Sequence, residues 1–324
     1  MGQASSQTVG KASNRLVSAV HTPVLGAEIL DALGVRSDGS YIDCTVGEGG
    51  HTAMLLAAVA PPPRVLGIDL DASALATAGT RLASFGGAVT LAHGSYVDMK
   101  RLATEAGMDG ADGIVMDLGL SSLQLETAER GFSFQTEARL DMRFDQGQEQ
   151  SAWGVVNRTR ERELADLIYA LGEEPKSRRI ASAIVKARPI ETTSKLAETV
   201  AKAVGGRRGR THPATRTFQA LRMAVNAELE NVQAGLERAM ETLKPGGRLA
   251  VISFHSLEDR LVKVFMGQES RDCICPPKFL QCDCQHVASL KRVNKKVIKA
   301  SDEELRANPR ARSARLRVAE LLEA

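Results

Sequence analysis

The chain has 324 residues, 43% of them hydrophobic and 25% charged, enough for one large domain or two smaller ones with real cores. No apolar run approaches the roughly 20 residues that a bilayer-spanning helix needs, so the chain does not read as an integral membrane protein and no membrane partner is expected. The net charge of +3 says little as a total; its distribution along the chain says more.

Residues 1–20 are rich in Ser, Gln and Ala, carry Lys11 and Arg15, and hold no acidic residue. They read as a disordered leader, with a short targeting segment as the alternative. The leader has no long apolar stretch, which argues against secretion, so a cytoplasmic protein is expected. Strand and helix signals then alternate. Ser40–Cys44, Arg64–Asp69, Ala88–His93 and Gly113–Leu118 are short apolar runs bounded by Gly, Pro or Asp. Helical stretches lie between them at Thr52–Val59, Ala72–Ala83 and Asp98–Ala106. This rhythm predicts a doubly wound α/β fold, a parallel sheet with helices on both faces. Ligands in such sheets bind at the carboxyl ends of the strands.

Each strand end carries a candidate. The first runs into Asp43-Cys-Thr-Val-Gly-Glu-Gly-Gly-His-Thr52, with Gly47, Gly49 and Gly50 inside four positions. Glycine permits a tight turn and close approach of the backbone to a ligand. The dinucleotide pattern needs a third glycine where this chain has Thr52, so the loop is closer to one that holds S-adenosylmethionine (SAM). Asp69 closes the second strand, where a carboxylate accepts both ribose hydroxyls of a nucleoside. Its bland reading is a helix cap, but Asp71 or Ser73 would cap equally well. Gly94-Ser95-Tyr96 and Asp117 end the third and fourth strands.

After Leu118 the rhythm breaks. From Gln124 to about Arg210 the pattern is helical (Glu161–Leu171, Lys176–Lys186, Thr193–Val204) and rich in arginine, ending in the basic linker Gly205-Gly-Arg-Arg-Gly-Arg210. This predicts an inserted helical domain at 128–211, splitting the α/β domain into 21–127 and 212–324. Pro213–Leu243 reads as one long helix, Lys244-Pro-Gly-Gly247 as a turn, and Arg248–Phe254 as a strand. One or two more strands are expected in the tail, at Val293–Lys299 and Arg315–Val318. The Lys-Pro-Gly-Gly turn before an apolar strand is typical of class I methyltransferases and rare in NAD enzymes. Cys273, Cys275, Cys282 and Cys284 form a C-x-C…C-x-C cluster. Four close thiols suit zinc, the C-x-C spacing is tighter than the usual knuckle, and free thiols in a loop are the other reading.

Several motifs appear in order: His21-Thr-Pro-Val-Leu25, Gly47-Glu-Gly-Gly-His-Thr52, Gly67-Ile-Asp-Leu-Asp71, Asp117-Leu-Gly-Leu-Ser-Ser122 with Gln124, and Arg130-Gly-Phe-Ser-Phe134. They are followed by Leu140-Asp-Met-Arg143, Ser253-Phe-His-Ser-Leu-Glu-Asp-Arg260 and Asn308-Pro-Arg-Ala-Arg-Ser-Ala-Arg-Leu-Arg-Val318. This text resembles the small-subunit ribosomal RNA methyltransferase H family over about residues 21–320. The resemblance implies a class I SAM-dependent fold with an inserted α-helical domain. It implies methylation of the exocyclic N4 amine of one cytidine in 16S rRNA near the decoding centre, with 16S rRNA or the small ribosomal subunit as partner. It assigns Gly49, Gly50 and His51 to the methionine and ribose end of the cofactor, Asp69 to the ribose, and Tyr96 to the adenine. Asp117 and Gln124 close the pocket by the methionine. The residues alone point to the loop, Asp69 and Asp117, but not to Gln124.

Asp117 is also the expected catalytic acceptor for an amine proton. Many amino-methyltransferases carry Asp/Asn-Pro-Pro-aromatic at that point, whereas this chain has Asp117-Leu-Gly-Leu120, so the target atom rests on the resemblance. His255 faces the same crevice and reads either as a substrate contact or as a neighbour of a helix start capped by Ser256 with Glu258 in its first turn. Asp141 and Arg143 carry a similar pair of readings. Residues 288–318 hold ten basic residues (Lys291, Arg292, Lys295, Lys296, Lys299, Arg306, Arg310, Arg312, Arg315, Arg317) against three acids. The insertion adds Arg158, Arg160, Arg178, Arg179, Arg207, Arg208 and Arg210. Two basic regions flanking one crevice predict a path for RNA phosphates. Phe132, Phe134 and Tyr96 are the stacking candidates, each more often core than platform. An NAD oxidoreductase, a methyltransferase acting on another RNA or a protein, and a non-catalytic RNA-binding module are the competing readings.

Overall fold

The computed structural model describes residues 23–206, 212–276 and 282–323. The leader 1–20, His21 and Thr22, and Arg207, Arg208 and Arg210 lie outside them. Among the described residues no helix is long and apolar enough to cross a membrane.

Seven strands, β1 Ser40–Asp43, β2 Arg64–Asp69, β3 Val89–His93, β4 Ala111–Asp117, β5 Leu243–Ser253, β6 Leu290–Arg292 and β7 Arg315–Leu321, form one sheet in the order β3-β2-β1-β4-β5-β7-β6. β1 to β5 are parallel; β7 runs antiparallel to both β5 and β6. The side-chain period of two divides each strand between the two faces. Ile42, Leu66, Ile68, Ile114, Met116, Leu249 and Val251 join one apolar cluster, while Tyr41, Val65, Val115, Ala250 and Ile252 join the other. Helices α1 Gly26–Leu33, α2 Gly50–Ala57 and α3 Ala72–Leu82 cover the second face. On the first lie α4 Met99–Glu105 and, after the insertion, two helices described below. Strand order reverses at β1, so a crevice opens beyond the carboxyl ends of β1 and β4.

A third apolar cluster belongs to the helices that follow α5 Ser122–Glu126. These are α6 Ala152–Arg158, α7 Glu161–Gly172, α8 Ser177–Lys186, α9 Thr193–Val204 and α10 Thr215–Val225. The cluster runs from Phe132 to Val225, past residue 211, where the sequence reading closes the insertion. The single helix expected over 213–243 is two, α10 and α11 Glu228–Thr242, broken where Ala227 takes φ 45°. That break separates the helical cluster from the sheet: α10 packs on α7, whereas α11 supplies Val232, Leu236 and Ala239 to the face also covered by α12 Ser256–Gln268. Lys244–Gly247 reverses locally as expected, with Gly246 at φ 78°, but it does so inside β5 as a four-residue excursion rather than ahead of the strand. β5 begins at Leu243, opposite Ala111, and the register shifts before Arg248 pairs with Gly113. The strand expected at 293–299 is displaced. β6 precedes it, and Ile298 keeps only an isolated bridge to Leu316. The segment is mostly exposed, and alternation alone did not separate it from an edge. After it come α13 Asp302–Ala307 and β7.

One buried ion pair joins sheet and insertion. Asp71 caps α3, its Oδ1 accepting from the Ser73 backbone N–H at 3.0 Å, and its Oδ2 accepts from Arg130 Nη1 at 2.6 Å. The two side chains are 5% and 6% exposed. Arg130 Nη2 also donates to the carbonyls of Arg143 and Phe144 at 2.9 Å. Arg130→Ala strands the Asp71 charge and two acceptors, so urea unfolding is expected to show a loss of about 3–5 kcal/mol.

Candidate active site

The cleft at the switch point is built by backbone ends that hydrogen bonds lock together. Gly47 (φ 51°) and Gly49 (φ 79°) take left-handed conformations that a Cβ would strain, turning the chain from β1 into α2. Asp69 holds this turn. Its Oδ2 accepts from Gly47 N–H and its Oδ1 from Asp71 N–H, both at 2.8 Å. Thr45 Oγ1 accepts from Asp117 N–H at 2.7 Å, fixing the end of β4 against the loop, and buried Asp43 accepts from Thr52 Oγ1 at 2.7 Å.

Gly50, His51, Asp69, Tyr96, Asp117 and Gln124 all line this cleft. Gly49 does not. It caps α2 and faces α3, where an added Cβ would come within 3.1 Å of Leu82. His51 Nε2–H donates to the Val24 carbonyl at 2.9 Å, and its Nδ1 stands 3.6 Å from Asp117 Oδ2, beyond hydrogen-bond reach. Tyr96 is accommodated by Gly235 on α11, whose Cβ would fall 2.6 Å from the ring; burial pushes its phenol up. Gln124 closes a capping box with Ser121 and donates from Nε2 to Asp71 Oδ2 at 3.1 Å. Its place in the wall is thus set by the same carboxylate that holds Arg130.

Asp117 is the reactive-looking group. Its Oδ1 is buried and accepts no hydrogen bond among the described residues. Burial pushes its carboxyl up to about 6, against the pull of His51 and with help from the charges of Asp43 and Glu258. Burial likewise lifts Asp69 to about 6, opposed by the Asp71 and Gly47 N–H donors. The lining carries the carboxylates of Glu48, Asp69, Asp117, Glu228 and Glu258 against Arg81 and Arg310. Arg222 pairs Glu228 through two contacts of 2.7 and 2.8 Å. Burial opposes ionisation of Glu258, but the hydrogen bond and charge of His255 outweigh it and keep this carboxyl low.

Several expectations change on inspection. His255, not Ser256, caps α12, its Nδ1 accepting from Glu258 N–H at 3.3 Å, and it does not line the cleft. Asp141 and Arg143 pair with each other through bonds of 2.9 and 2.7 Å and stand outside the cleft. Phe132 stacks on Phe144, and Phe134 packs on Phe218 and His212 within the helical cluster, so neither is a platform. Phe144 and Phe254 line the cleft instead. Phe254 lies beside Gly119, whose Cβ would be 3.6 Å from the ring, and so supplies an aromatic where the Asp117-Leu-Gly-Leu120 turn lacks one. The position of Phe254 just past β5, a strand neighbouring β4, was the signal available for it. Arg310 is committed to Ser122 and Glu126, and Arg315 and Arg317 to Asp259. Arg158, Arg160, Arg178, Arg179, Lys291, Arg292, Lys295, Lys296, Lys299, Arg306 and Arg312 are exposed.

A parallel sheet with a Gly turn after β1, an acid ending β2, an acid ending β4 and an antiparallel β7 defines a class I SAM-dependent methyltransferase. The site's residues fit that cofactor. Asp69 keeps free lone pairs toward the cleft for a diol, and the acidic lining suits a sulfonium and an ammonium. The chain belongs to the MraW methylase family, whose model matches residues 18–322. It is 51% identical over 300 residues to a ribosomal RNA small subunit methyltransferase H of Dehalococcoides mccartyi, covering 93% of this chain and 86% of that one. The protein of that name from Thermomicrobium roseum is 50% identical over 307 residues, covering 94% of each. The one from Syntrophotalea carbinolica is 49% identical over 302 residues, covering 92% and 96%.

Two measurements probe the cleft. Asp69→Ala is expected to weaken SAM binding by at least about 30-fold in calorimetry, through loss of charge-assisted hydrogen bonds. Asp117 has a folded pKa raised to about 6, so the stability that its protonated form confers is present in acid and lost as pH rises through 6. Its side chain is 24% exposed, which reduces the cost of burying the charge to about 1–2 kcal/mol. Asp117→Asn should therefore raise the melting temperature of the cofactor-free protein by about 2–4 °C at pH 7.5, and the gain should shrink below pH 6 and vanish by about pH 4.

Proposed function

We propose that this chain transfers the methyl group of SAM to the exocyclic N4 amine of a cytidine in small-subunit ribosomal RNA. The observation that carries the reading is the Asp117 carboxylate, which lines the cleft at the carboxyl end of β4 beside the Gly loop and whose Oδ1 has no hydrogen-bond partner among the described residues. The cofactor supplies an electrophilic methyl group on a sulfonium, so the protein's task is chiefly alignment. Asp69 holds the ribose, Gly50 and His51 border the methionine end, and Tyr96 flanks the adenine. Gln124 closes the wall, and Gly49 serves the loop by letting it pack on α3.

The cytosine amine is a poor nucleophile because its lone pair is delocalised into the ring. The Asp117 carboxylate accepts one amine hydrogen, turns the lone pair toward the methyl group, and takes the proton released by transfer. A carboxyl poised near 6 is ionised at neutral pH yet basic enough for this. Phe254 and Phe144 offer apolar faces to a base drawn out of its stack. The exposed arginines of the insertion and the exposed Lys/Arg of residues 288–318 suit the phosphates on either side. The names of the relatives support small-subunit rRNA as the substrate, and the motif text supports the N4 amine.

The test is to treat 16S rRNA lacking its native methylation with the pure protein and SAM, then map modified nucleosides by mass spectrometry. One N4-methylated cytidine is expected. Methylation of another base, or of a ribosomal protein only, overturns the reading. Asp117→Ala should lower turnover by about 100-fold or more while RNA affinity stays within about twofold.

A further inference from the structure

Beyond α12 the chain makes an excursion that closes on itself. The backbone N–H groups of Ser289 and Leu290 both donate to the Glu269 carbonyl at 2.9 Å, and Ser289 Oγ donates to Glu269 Oε2 at 2.7 Å. No described residue from Arg271 to Ser289 is buried, and Ile274 and Val287 are 45% and 73% exposed. The described residues of the excursion thus draw no order from buried apolar side chains. Its one dense feature is a cluster of thiols. Cys273 and Cys275 on the outgoing limb meet Cys282 and Cys284 on the returning limb, all four sulfurs lying within 4.8 Å of one another. Cys282 and Cys284 Sγ are 3.6 Å apart, and Cys284 and Cys273 Sγ 3.8 Å. A tetrahedral ion with metal–sulfur bonds of about 2.3 Å needs ligand sulfurs about 3.8 Å from each other. The C-x-C spacing, tight as it is, therefore still brings the two pairs into tetrahedral register.

We propose that Cys273, Cys275, Cys282 and Cys284 bind one zinc ion as a closed, structural tetrathiolate site. Four protein ligands fill every tetrahedral position, leaving none for water or substrate. None of the four cysteines lines the cleft, so the site is separate from the methyl-transfer chemistry. Each thiol releases its proton to solvent on binding, so loading is favoured as pH rises. The ion ties the two limbs together and fixes the excursion ahead of β6 and the basic segment that follows it.

Metal analysis of the full chain, purified in reductant without chelator, tests this whether or not the rRNA reading holds. One zinc per chain is expected. Exchange with cobalt(II) should give the intense visible bands and near-ultraviolet thiolate charge transfer of a tetrahedral sulfur site. Cys275→Ser and Cys284→Ser should each lower zinc retention at least about tenfold and open residues 271–289 to limited proteolysis, whereas Cys44→Ala keeps its zinc. Should the cysteine variants fail to fold, the zinc content and cobalt spectrum of the unaltered protein still decide. Well under one zinc per chain after incubation with zinc chloride, iron in place of zinc, or a mass showing the cysteines oxidised in pairs would each overturn the assignment.

Discussion

The structure turns on the carboxylate of Asp71. In an apolar interior a lone charge is intolerable, and Asp71 is kept ionised by converging donors: the Ser73 hydroxyl and backbone, Arg130 and Gln124. Burial works against its ionisation, yet these hydrogen bonds hold its carboxyl below the usual range. Each donor belongs to a different layer. Ser73 starts α3 of the sheet domain, Gln124 stands in the cleft wall, and Arg130 reaches on to carbonyls at the entry to the helical cluster. One side chain thereby sets the start of a helix, the cofactor wall and the attachment of the insertion. Asp69, two residues earlier, does the corresponding work for the Gly loop.

The cleft draws its chemistry from unequal treatment of similar groups. Asp71 and Glu258 are surrounded by donors and stay low, while Asp69 and Asp117 are buried with fewer donors and rise to about 6. The low pair organises helix starts; of the raised pair, Asp69 still holds the Gly turn, and Asp117 is left with capacity to accept hydrogen bonds. Asp117 has the greater spare capacity, because its Oδ1 has no partner among the described residues. A position that raises the energy of the resting protein is tolerable where the reaction later uses that acceptor.

Much of this was legible in the sequence because it is written in local pattern. The strands β1, β2, β3 and β4 follow from short apolar runs with polar ends, and the Gly turn from residues that alone tolerate its dihedrals. Asp69 and Asp117 follow from standing at strand ends. What escaped depends on distant partners. Nothing near Ala227 announces a break between α10 and α11; it comes from the two helices having different cores to fill. Arg130 stood in the sequence only as the first residue of a motif, with no role assigned, because its partner lies 59 residues away. His255 was legible as polar and close to the crevice, but capping by an imidazole is uncommon and Ser256 beside it offered the usual residue. Phe254 and Phe144 displaced Phe132 and Phe134 because which aromatic reaches a cleft is decided by packing, not by periodicity.

The place of β7 has a consequence for assembly order. It is the last strand along the chain, yet it lies inside the sheet, between β5 and β6. Arg315 and Arg317 bolt it to Asp259 on α12. Until residues 315–321 are available, β5 keeps an unpaired edge and β6 has no neighbour, since it pairs with β7 alone. The parallel half containing the cofactor loop is free to form from residues 40–117, but the half that buries Leu249, Val251, Phe265 and Leu290 waits for β7. Synthesis from the amino end thus leaves the β4 edge open while the insertion is being made, and then the β5 edge open while α12, the cysteine loop, β6 and α13 are being made, a window in which a chaperone or a wrong strand could occupy it.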